Sequence, residues 1–187
     1  VQIFIVNHYD FDNMRQGVHA ILTGSNPWQG GQKQIEFYNP PFSALLLLPM
    51  LFTTPKIFAV IGGSLLVSFV FYKRAWVGLA WFGTNSILWL IANGGIDMFV
   101  IGAGLLLLEA GDRVKRPWIS LILRVVGYGY LLVKPQGGVF IVLLYVLLRK
   151  DWKGVLASVV IYGLFFISYW VDWLAVLLGN PPVAQEV

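Results

Sequence analysis

The chain has 187 residues, of which 58% are hydrophobic and only 12% are charged. Soluble domains carry about 25% charged residues, so this composition predicts an integral membrane protein. The absence of cysteine excludes disulfides, thiolate metal ligands and a cysteine nucleophile. A net charge of +4 does not indicate nucleic-acid binding here, because the basic residues lie in short clusters between apolar runs.

The opening 41 residues are the most polar part of the chain. They begin with a short apolar stretch, Val1–Val6, which is predicted to be the end of a preceding transmembrane helix. Asp10 and Asp12 follow, in a context rich in Gly, Asn, Pro and Trp. We expect residues 1–41 to form an extracytoplasmic loop that contains one short helix, near Asn13 to Leu22.

The next apolar run, 42–54, would be about 20 Å long as a helix, which is shorter than the ~30 Å hydrocarbon core. Pro49 also interrupts it, so we predict an interfacial or re-entrant helix. Residues 55–187 are predicted to complete a single membrane domain as a transmembrane bundle, in which each apolar run is a helix. The six runs are 56–72, 75–92, 96–110, 118–133, 137–148 and 154–173.

The predicted fold is therefore an all-α, polytopic membrane bundle with about six transmembrane helices. Six crossings place most basic residues on one side, which the positive-inside rule makes the cytoplasmic side. Both termini and the opening loop then lie outside, in a multi-pass cell-membrane protein with its active face extracytoplasmic. The cytoplasmic set comprises Lys73, Arg74, Arg113, Lys115, Arg116, Arg149, Lys150 and Lys153, with Arg124 snorkelling towards it.

Asp10 and Asp12 are the first candidates for chemistry. A carboxylate can act as the general base that takes the proton of an acceptor hydroxyl in glycosyl transfer. The Asp-x-Asp spacing would also let the two residues share a divalent cation through oxygen ligands. Alternatively, both residues cap the helix that follows, whose start favours acidic side chains. The spacing alone leaves these three interpretations open.

Lys134 and Asp97 are predicted to lie on the same face as the opening loop. Lys134 follows an apolar run and could neutralise a phosphate leaving group as a compact positive charge, or could simply snorkel to the interface. Asp97 is an ionisable residue at membrane depth, which is a functional candidate by default, but at a helix start it is equally a cap.

Polar residues in neighbouring turns complete the candidate set for substrate binding: Gln136 beside Lys134, Asn93 before Asp97, Asn39 in the opening segment, and His8 beside Asp10. His8 and His19 show no metal-ligand pattern with other histidines, so no metal centre is predicted from them. The only cofactor considered is a divalent cation at Asp10 and Asp12.

Several motifs, taken in order, resemble the GT-C membrane glycosyltransferases, and in particular the branch that uses polyprenyl-phosphate sugars, such as polyprenyl-phosphate-mannose-dependent mannosyltransferases. The resemblance covers nearly the whole chain. The motifs are Asp10-Phe11, Ala20 to Trp28, Tyr38 to Phe42, Asn93 to Asp97, Leu132 to Gly138 and Arg149 to Trp152.

The resemblance implies a first-loop aspartate, best matched by Asp10, as general base. It also implies a polyprenyl-phosphate-linked sugar donor lying in a membrane groove, and transfer on the extracytoplasmic side to a lipid, glycan or protein hydroxyl. Asp12 would support Asp10, and Lys134 would contact the phosphate. The alternative is a non-catalytic GT-C-like subunit that stabilises a larger membrane complex; a transporter ranks below both, because the sequence has no inverted repeat.

Overall fold

A computed structural model of the chain describes residues 9–28, 39–73, 95–165 and 167–178. In these ranges all regular secondary structure is helical and there is no strand, which confirms the predicted all-α class. Two short 3-10 helices, Leu48–Phe52 and Ile167–Tyr169, accompany the α-helices. The α-helices are α1 (Tyr9–Leu22), α2 (Ser43–Leu46), α3 (Pro55–Tyr72), α4 (Ile96–Arg113), α5 (Pro117–Leu132), α6 (Pro135–Arg149), α7 (Trp152–Leu164) and α8 (Trp170–Leu177).

Helix α1 is amphipathic, and its apolar stripe attaches it to the bundle. Phe11, Met14, Val18 and Ile21 are buried, at the three- and four-residue spacing that places side chains on one helical face. The helix ends in a Schellman turn, in which Ser25 N–H donates to the Ala20 carbonyl at 2.8 Å. Most of the segment predicted as an opening loop before residue 23 is therefore helical.

The 42–54 segment forms α2 and a 3-10 helix instead of one helix. Pro49 lies in the first turn of the 3-10 helix, where its missing N–H costs nothing. Phe42, Leu47 and Met50 are buried against protein, whereas Phe52 is 79% exposed. The segment is too short to cross a bilayer, as predicted, and much of its apolar surface packs against the other helices.

Glycines allow α3 and α4 to pack closely. A β-carbon on Gly62 would lie 2.7 Å from the backbone nitrogen of Phe99, and one on Gly102 would lie 2.7 Å from the backbone nitrogen of Leu66. The contact partner of Gly62 is Phe99, and that of Leu66, further along α3, is Gly102, further along α4. The two helices therefore run parallel. Small residues permit this backbone approach, as in helix pairs within membranes.

The remaining pairs alternate in direction. Helices α4 and α5 form an antiparallel pair that is closely packed at Gly104 and Gly127. A β-carbon added to either glycine would lie 3.0 Å from the carbonyl oxygen of the other. Helix α6 returns beside α5, and α7 runs parallel to α5, where the Ser158 hydroxyl donates to the Val125 carbonyl at 3.3 Å. The bundle therefore has two distinct ends.

We call one of these the α1 end. Helices α3, α4 and α6 begin there, α5 and α7 finish there, and α1, α2 and α8 pack against it. At the opposite end, which we call the basic end, α3, α4 and α6 finish and α5 and α7 begin. The described residues at the α1 end include only three Lys or Arg side chains, those of Arg15, Lys56 and Lys134. The basic end carries Lys73, Arg113, Lys115, Arg116, Arg124, Arg149, Lys150 and Lys153.

The predicted run 154–173 is not one helix. Helix α7 ends at Leu164, Phe165 is extended, and α8 begins at Trp170. The Trp170 indole N–H donates to the Phe165 carbonyl at 3.1 Å and holds the break. The resulting bend between the helical segments is 79°.

Among the described helices, α3 alone is long and apolar enough to cross a membrane as a single helix. The bent pair Trp152–Leu164 and Ile167–Leu177 meets the same test only when counted as one span. Helices α5 and α6 are apolar but shorter, and α4 carries Asp97, Glu109, Asp112 and Arg113 along its length. The predicted run 75–92 lies outside the described residues, and the six crossings are not confirmed.

Candidate functional site

An ion pair at the α1 end joins two of the residues singled out from the sequence. The ammonium Nζ of Lys134 lies 2.9 Å from Asp97 Oδ1, with the Lys134 side chain 24% exposed and that of Asp97 32% exposed. Asp97 occupies the first turn of α4, where the positive end of the helix dipole favours a carboxylate. Asp97 can therefore be a helix-start residue and a site residue at the same time.

Lys134 is the residue immediately before α6, and the helix dipole adds positive potential beside it. Pro135 starts the helix with a residue that needs no hydrogen-bond partner for its nitrogen. Gln136 lies in the first turn by its backbone. A lysine ammonium beside a helix N-terminus suits a phosphate or another anion. In this structure that ammonium is paired with Asp97.

Gly95 holds the other half of the pair in place. It precedes α4 with φ +66°, in the left-handed region, and an added β-carbon would lie 2.6 Å from the Ala59 α-carbon. A glycine at this position allows α4 to begin against the first turns of α3, which brings Asp97 to the α1 end.

A groove beside α1 contains Asp12. It has a volume of about 640 Å³, and the exposed face of α1 forms one wall with Asp12, Arg15, Gln16 and His19. Leu51 lies across from this face, and the Arg15 guanidinium donates to its carbonyl at 3.5 Å. Asp97 and Lys134 are not among the lining residues, so the groove and the ion pair are separate features of the same end.

Asp10 and Asp12 both lie inside α1, in its first turns, and not in a loop before it. Neither residue is an N-cap of α1, because the described helix already begins at Tyr9. Residues two apart on a helix occupy different faces, so the helical backbone does not place this pair side by side for one cation. Within the described ranges no cluster of three His, Cys, Asp or Glu residues could hold a metal ion.

Two buried polar groups lie unsatisfied near the start of α2. The Asn39 amide Nδ2 and the Ser43 hydroxyl have no hydrogen-bond partner among the described residues, although Asn39 is 4% exposed and Ser43 0% exposed. A buried polar group without a partner is costly, and such groups are uncommon in folded proteins. His8 and Asn93, the remaining predicted contacts, lie outside the described residues.

Two elements of this end were not expected from the sequence. Asn26 Nδ2 donates to Asp172 Oδ2 at 2.5 Å, and Asn26 Oδ1 accepts from the Trp28 backbone N–H at 3.0 Å. The Ser25-Asn26-Pro27-Trp28 motif thus fastens α8 across the end of the bundle. Arg15, which lines the groove, was not singled out from the sequence as a candidate site residue. Arg15 follows Asp12 at a spacing that places both on one helical face, and this spacing was the signal that could have identified it.

A ladder of rings connects α1 to the ion-pair helices. Phe11 of α1 contacts Phe58 of α3 with 5.5 Å between ring centroids, and Phe58 contacts Phe99 of α4 at 4.4 Å. Phe99 in turn contacts Tyr130 of α5 at 5.7 Å, one turn before Lys134. Packing of these rings thus positions α1, which carries Asp10 and Asp12, relative to both partners of the ion pair.

No protein-family model matches this sequence, and comparison with curated proteins and with solved structures finds no significant match. The resemblance to GT-C glycosyltransferases remains a prediction.

Proposed function

We propose that this chain is a multi-pass membrane glycosyltransferase of the GT-C type, which transfers a sugar such as mannose from a polyprenyl phosphate to a lipid, glycan or protein hydroxyl. The observation that supports this most is the Asp97–Lys134 ion pair at the same end as α1. The pair joins the Asn93 to Asp97 motif to the Leu132 to Gly138 motif, which are distant in sequence and both carry the resemblance. It also provides a cation for the donor phosphate at the α1 end, where Asp10 and Asp12 lie.

In the proposed reaction Asp10, in the first turn of α1, is the general base. Its carboxylate takes the acceptor O–H proton while the acceptor oxygen forms a bond to the anomeric carbon of the sugar. The bond from that carbon to the phosphate oxygen breaks on the opposite face, so the configuration inverts. The electron pair of that bond remains on the polyprenyl phosphate, which leaves.

Lys134 has the role of stabilising the negative charge that develops on the leaving phosphate. In this structure Asp97 neutralises and orients its ammonium group. Donor binding would move the ammonium from the carboxylate to the phosphate oxygens, next to the first turn of α6. Asn39 and Ser43 offer a buried amide N–H and a hydroxyl for further hydrogen bonds to substrate.

Exposed apolar surface supports the proposed membrane location. Helices α6 and α7 expose large side chains along much of their length, a surface that in water would be an interaction or aggregation site. The separation of basic residues between the two ends supports an extracytoplasmic α1 end. The most exposed examples on the two helices are Phe140, Leu144, Leu147, Leu148, Trp152, Leu156 and Leu164.

The test is sugar transfer by the purified chain in lipid vesicles supplied with labelled polyprenyl-phosphate mannose or glucose and a mixed glycolipid acceptor. We expect Asp10→Asn to lower transfer by about 10²–10⁴-fold, as for loss of a general base, and Asp12→Asn to lower it less. Melting temperatures should match the wild type, which separates loss of chemistry from unfolding. Full activity of Asp10→Asn would remove Asp10 from the mechanism. Wild-type protein that transfers neither sugar would favour the non-catalytic subunit instead.

A further inference from the structure

The basic end carries a second polar cluster, to which the proposed sugar transfer assigns no role. Its centre is Arg124, whose guanidinium lies 3.1 Å from Asp112 Oδ1 and 3.2 Å from Asp151 Oδ1. Tyr145 donates to Asp112 at 2.7 Å, and Tyr128 donates to Asp151 at 3.0 Å. The two carboxylates are thus already bound by groups of the bundle itself.

The third carboxylate at this end, that of Glu109, is also occupied. It forms an ion pair with Lys73, and Arg113 and Arg149 approach it at 3.9 and 3.8 Å. Three carboxylates therefore neutralise part of a larger set of cations. In the described part of the chain, Lys150 and Lys153 have no carboxylate within ion-pair distance.

An open cavity of about 700 Å³ lies directly beside this cluster, between the first turns of α5 and the turn from α6 to α7. Such a volume is within the range of about 300–1,000 Å³ that is common for small-molecule sites. Its walls carry four cationic side chains and a single carboxylate, that of Asp151, which Arg124, Tyr128 and the Gly154 N–H already bind. The cations are Arg124, Arg149, Lys150 and Lys153.

Two further features point to an anionic ligand. The Arg124 Nε–H is buried without a hydrogen-bond partner among the described residues, although the same side chain lines the cavity. Lys150 adopts a left-handed backbone conformation with φ 55°, a position that favours glycine or asparagine. Among the described residues Lys150 is thus the one non-glycine residue with a positive φ, and it lines the cavity.

The cavity also has apolar walls that continue onto the exposed surface of the bundle. Leu121 and Trp152 line it and are 43% and 60% exposed, and Leu156 of the next turn is 66% exposed. A ligand that fits this cavity must present an anionic group to the lysines and arginines. It must also present apolar chains to the exposed apolar flank. Basic pockets between helices on the cytoplasmic side of membrane proteins bind phospholipid head groups by this combination.

We propose that this cavity binds the phosphate of an anionic membrane phospholipid, with Lys150 and Lys153 as its principal contacts and Arg124 and Arg149 at its base. The ligand chemistry is a phosphate oxyanion, and the exposed apolar flank assigns it to a lipid and not to free phosphate. The site lies at the opposite end of the bundle from Lys134. It rests on the membrane location in the proposed function and does not depend on sugar transfer.

The test is native mass spectrometry of the full chain, purified in a neutral detergent and titrated with dioctanoyl phosphatidylglycerol. We expect Lys150→Gln/Lys153→Gln to weaken binding by about tenfold or more, since each basic residue near an anionic lipid contributes appreciably. The matched control, Lys115→Gln/Arg116→Gln, removes the same charge from the neighbouring α4–α5 turn outside the cavity. It should bind within about twofold of the wild type.

Three outcomes would overturn the proposal. One is wild-type affinity in the Lys150→Gln/Lys153→Gln variant, and another is an equal loss in the control, which would indicate only general charge attraction. The third is binding of glycerol 3-phosphate as tight as that of the lipid, which would assign the site to a soluble phosphate. Dioctanoyl phosphatidylcholine should bind at least about tenfold more weakly than phosphatidylglycerol. Lipid binding by a wild-type chain that transfers no sugar would contradict the proposed enzyme and support the lipid site.

Discussion

Lys134 Nζ lies 2.9 Å from Asp97 Oδ1, in an ion pair that joins the first turn of α4 to the turn between α5 and α6. Both side chains are partly exposed, so the pair contributes only about 0–1 kcal/mol to the stability of the fold. The pair places an ammonium group at the end of the bundle that carries α1.

Replacement of Lys134 by Gln should lower sugar transfer by about 10²-fold, because the leaving phosphate loses the cation that stabilises it. The measurement is kcat/KM with the polyprenyl-phosphate donor. Lys56→Gln is the control, since Lys56 is an exposed lysine at the same end of the bundle. Equal losses in the two variants would show that general positive potential, and not Lys134, acts on the donor.

Asp97→Asn should have the opposite effect on donor binding. The carboxylate competes with phosphate for the Lys134 ammonium, so its neutralisation should lower the donor KM by up to about fivefold. In the double variant with Lys134→Gln this gain should disappear, because the competition needs both partners. A gain that persisted without Lys134 would contradict the exchange of partners proposed for the ammonium.

Gly62→Ala should destabilise the protein by about 1–3 kcal/mol, because the new methyl group would press on the α4 backbone at Phe99. The neighbouring Gly63→Ala is a matched control, since its β-carbon would have no atom within 4 Å. That substitution should be neutral or stabilising by up to about 1 kcal/mol through helix propensity. Thermal unfolding in detergent compares the two, and equal melting temperatures would argue against the close parallel packing of α3 and α4.

Asp151→Ala should be among the most destabilising single changes at the basic end, at about 3–5 kcal/mol. It leaves Arg124 without one of its two carboxylates, removes the acceptor of Tyr128, and deletes the N-cap of α7. Tyr128→Phe, which removes one hydrogen bond and leaves the ion pair, should cost about 1–2 kcal/mol. Denaturation of the two variants under identical conditions tests this order, and the reverse order would show that the tyrosine is the more important partner.

Phe11→Ala should loosen α1 from the bundle, because Phe11 is fully buried and contacts Phe58. A buried Phe→Ala change costs about 3–5 kcal/mol, and here the lost free energy should weaken mainly the packing of α1 against the other helices. Trypsin should then cut after Arg15 faster than in the wild type, as followed by mass spectrometry. Phe52→Ala, at a 79% exposed position, should leave the cutting rate unchanged.

The helices themselves were largely predictable, since α3, α5 and α6 lie within about two residues of the apolar runs assigned to them. Length, hydrophobicity and flanking Gly, Pro and charged residues are local properties, which can be read before any tertiary contact is known. The placement of the basic residues at one end was predictable for the same reason. The placement of Asp97 and Lys134 on one face followed from the number of helices between them.

The pairing of Lys134 with Asp97, the parallel packing of α3 and α4 at Gly62 and Gly102, and the break after Leu164 were not predictable. Uniformly apolar runs specify a helix but not which helix lies beside it, because many neighbours bury the same surface equally well. The break depends on a hydrogen bond between Trp170 and Phe165 and on the contact of Asp172 with Asn26 from the distant opening segment. Local pattern was thus sufficient for α3, α5 and α6 and for the sign of charge at each end. Contacts between residues far apart in the chain decided how the helices pack and which charges meet.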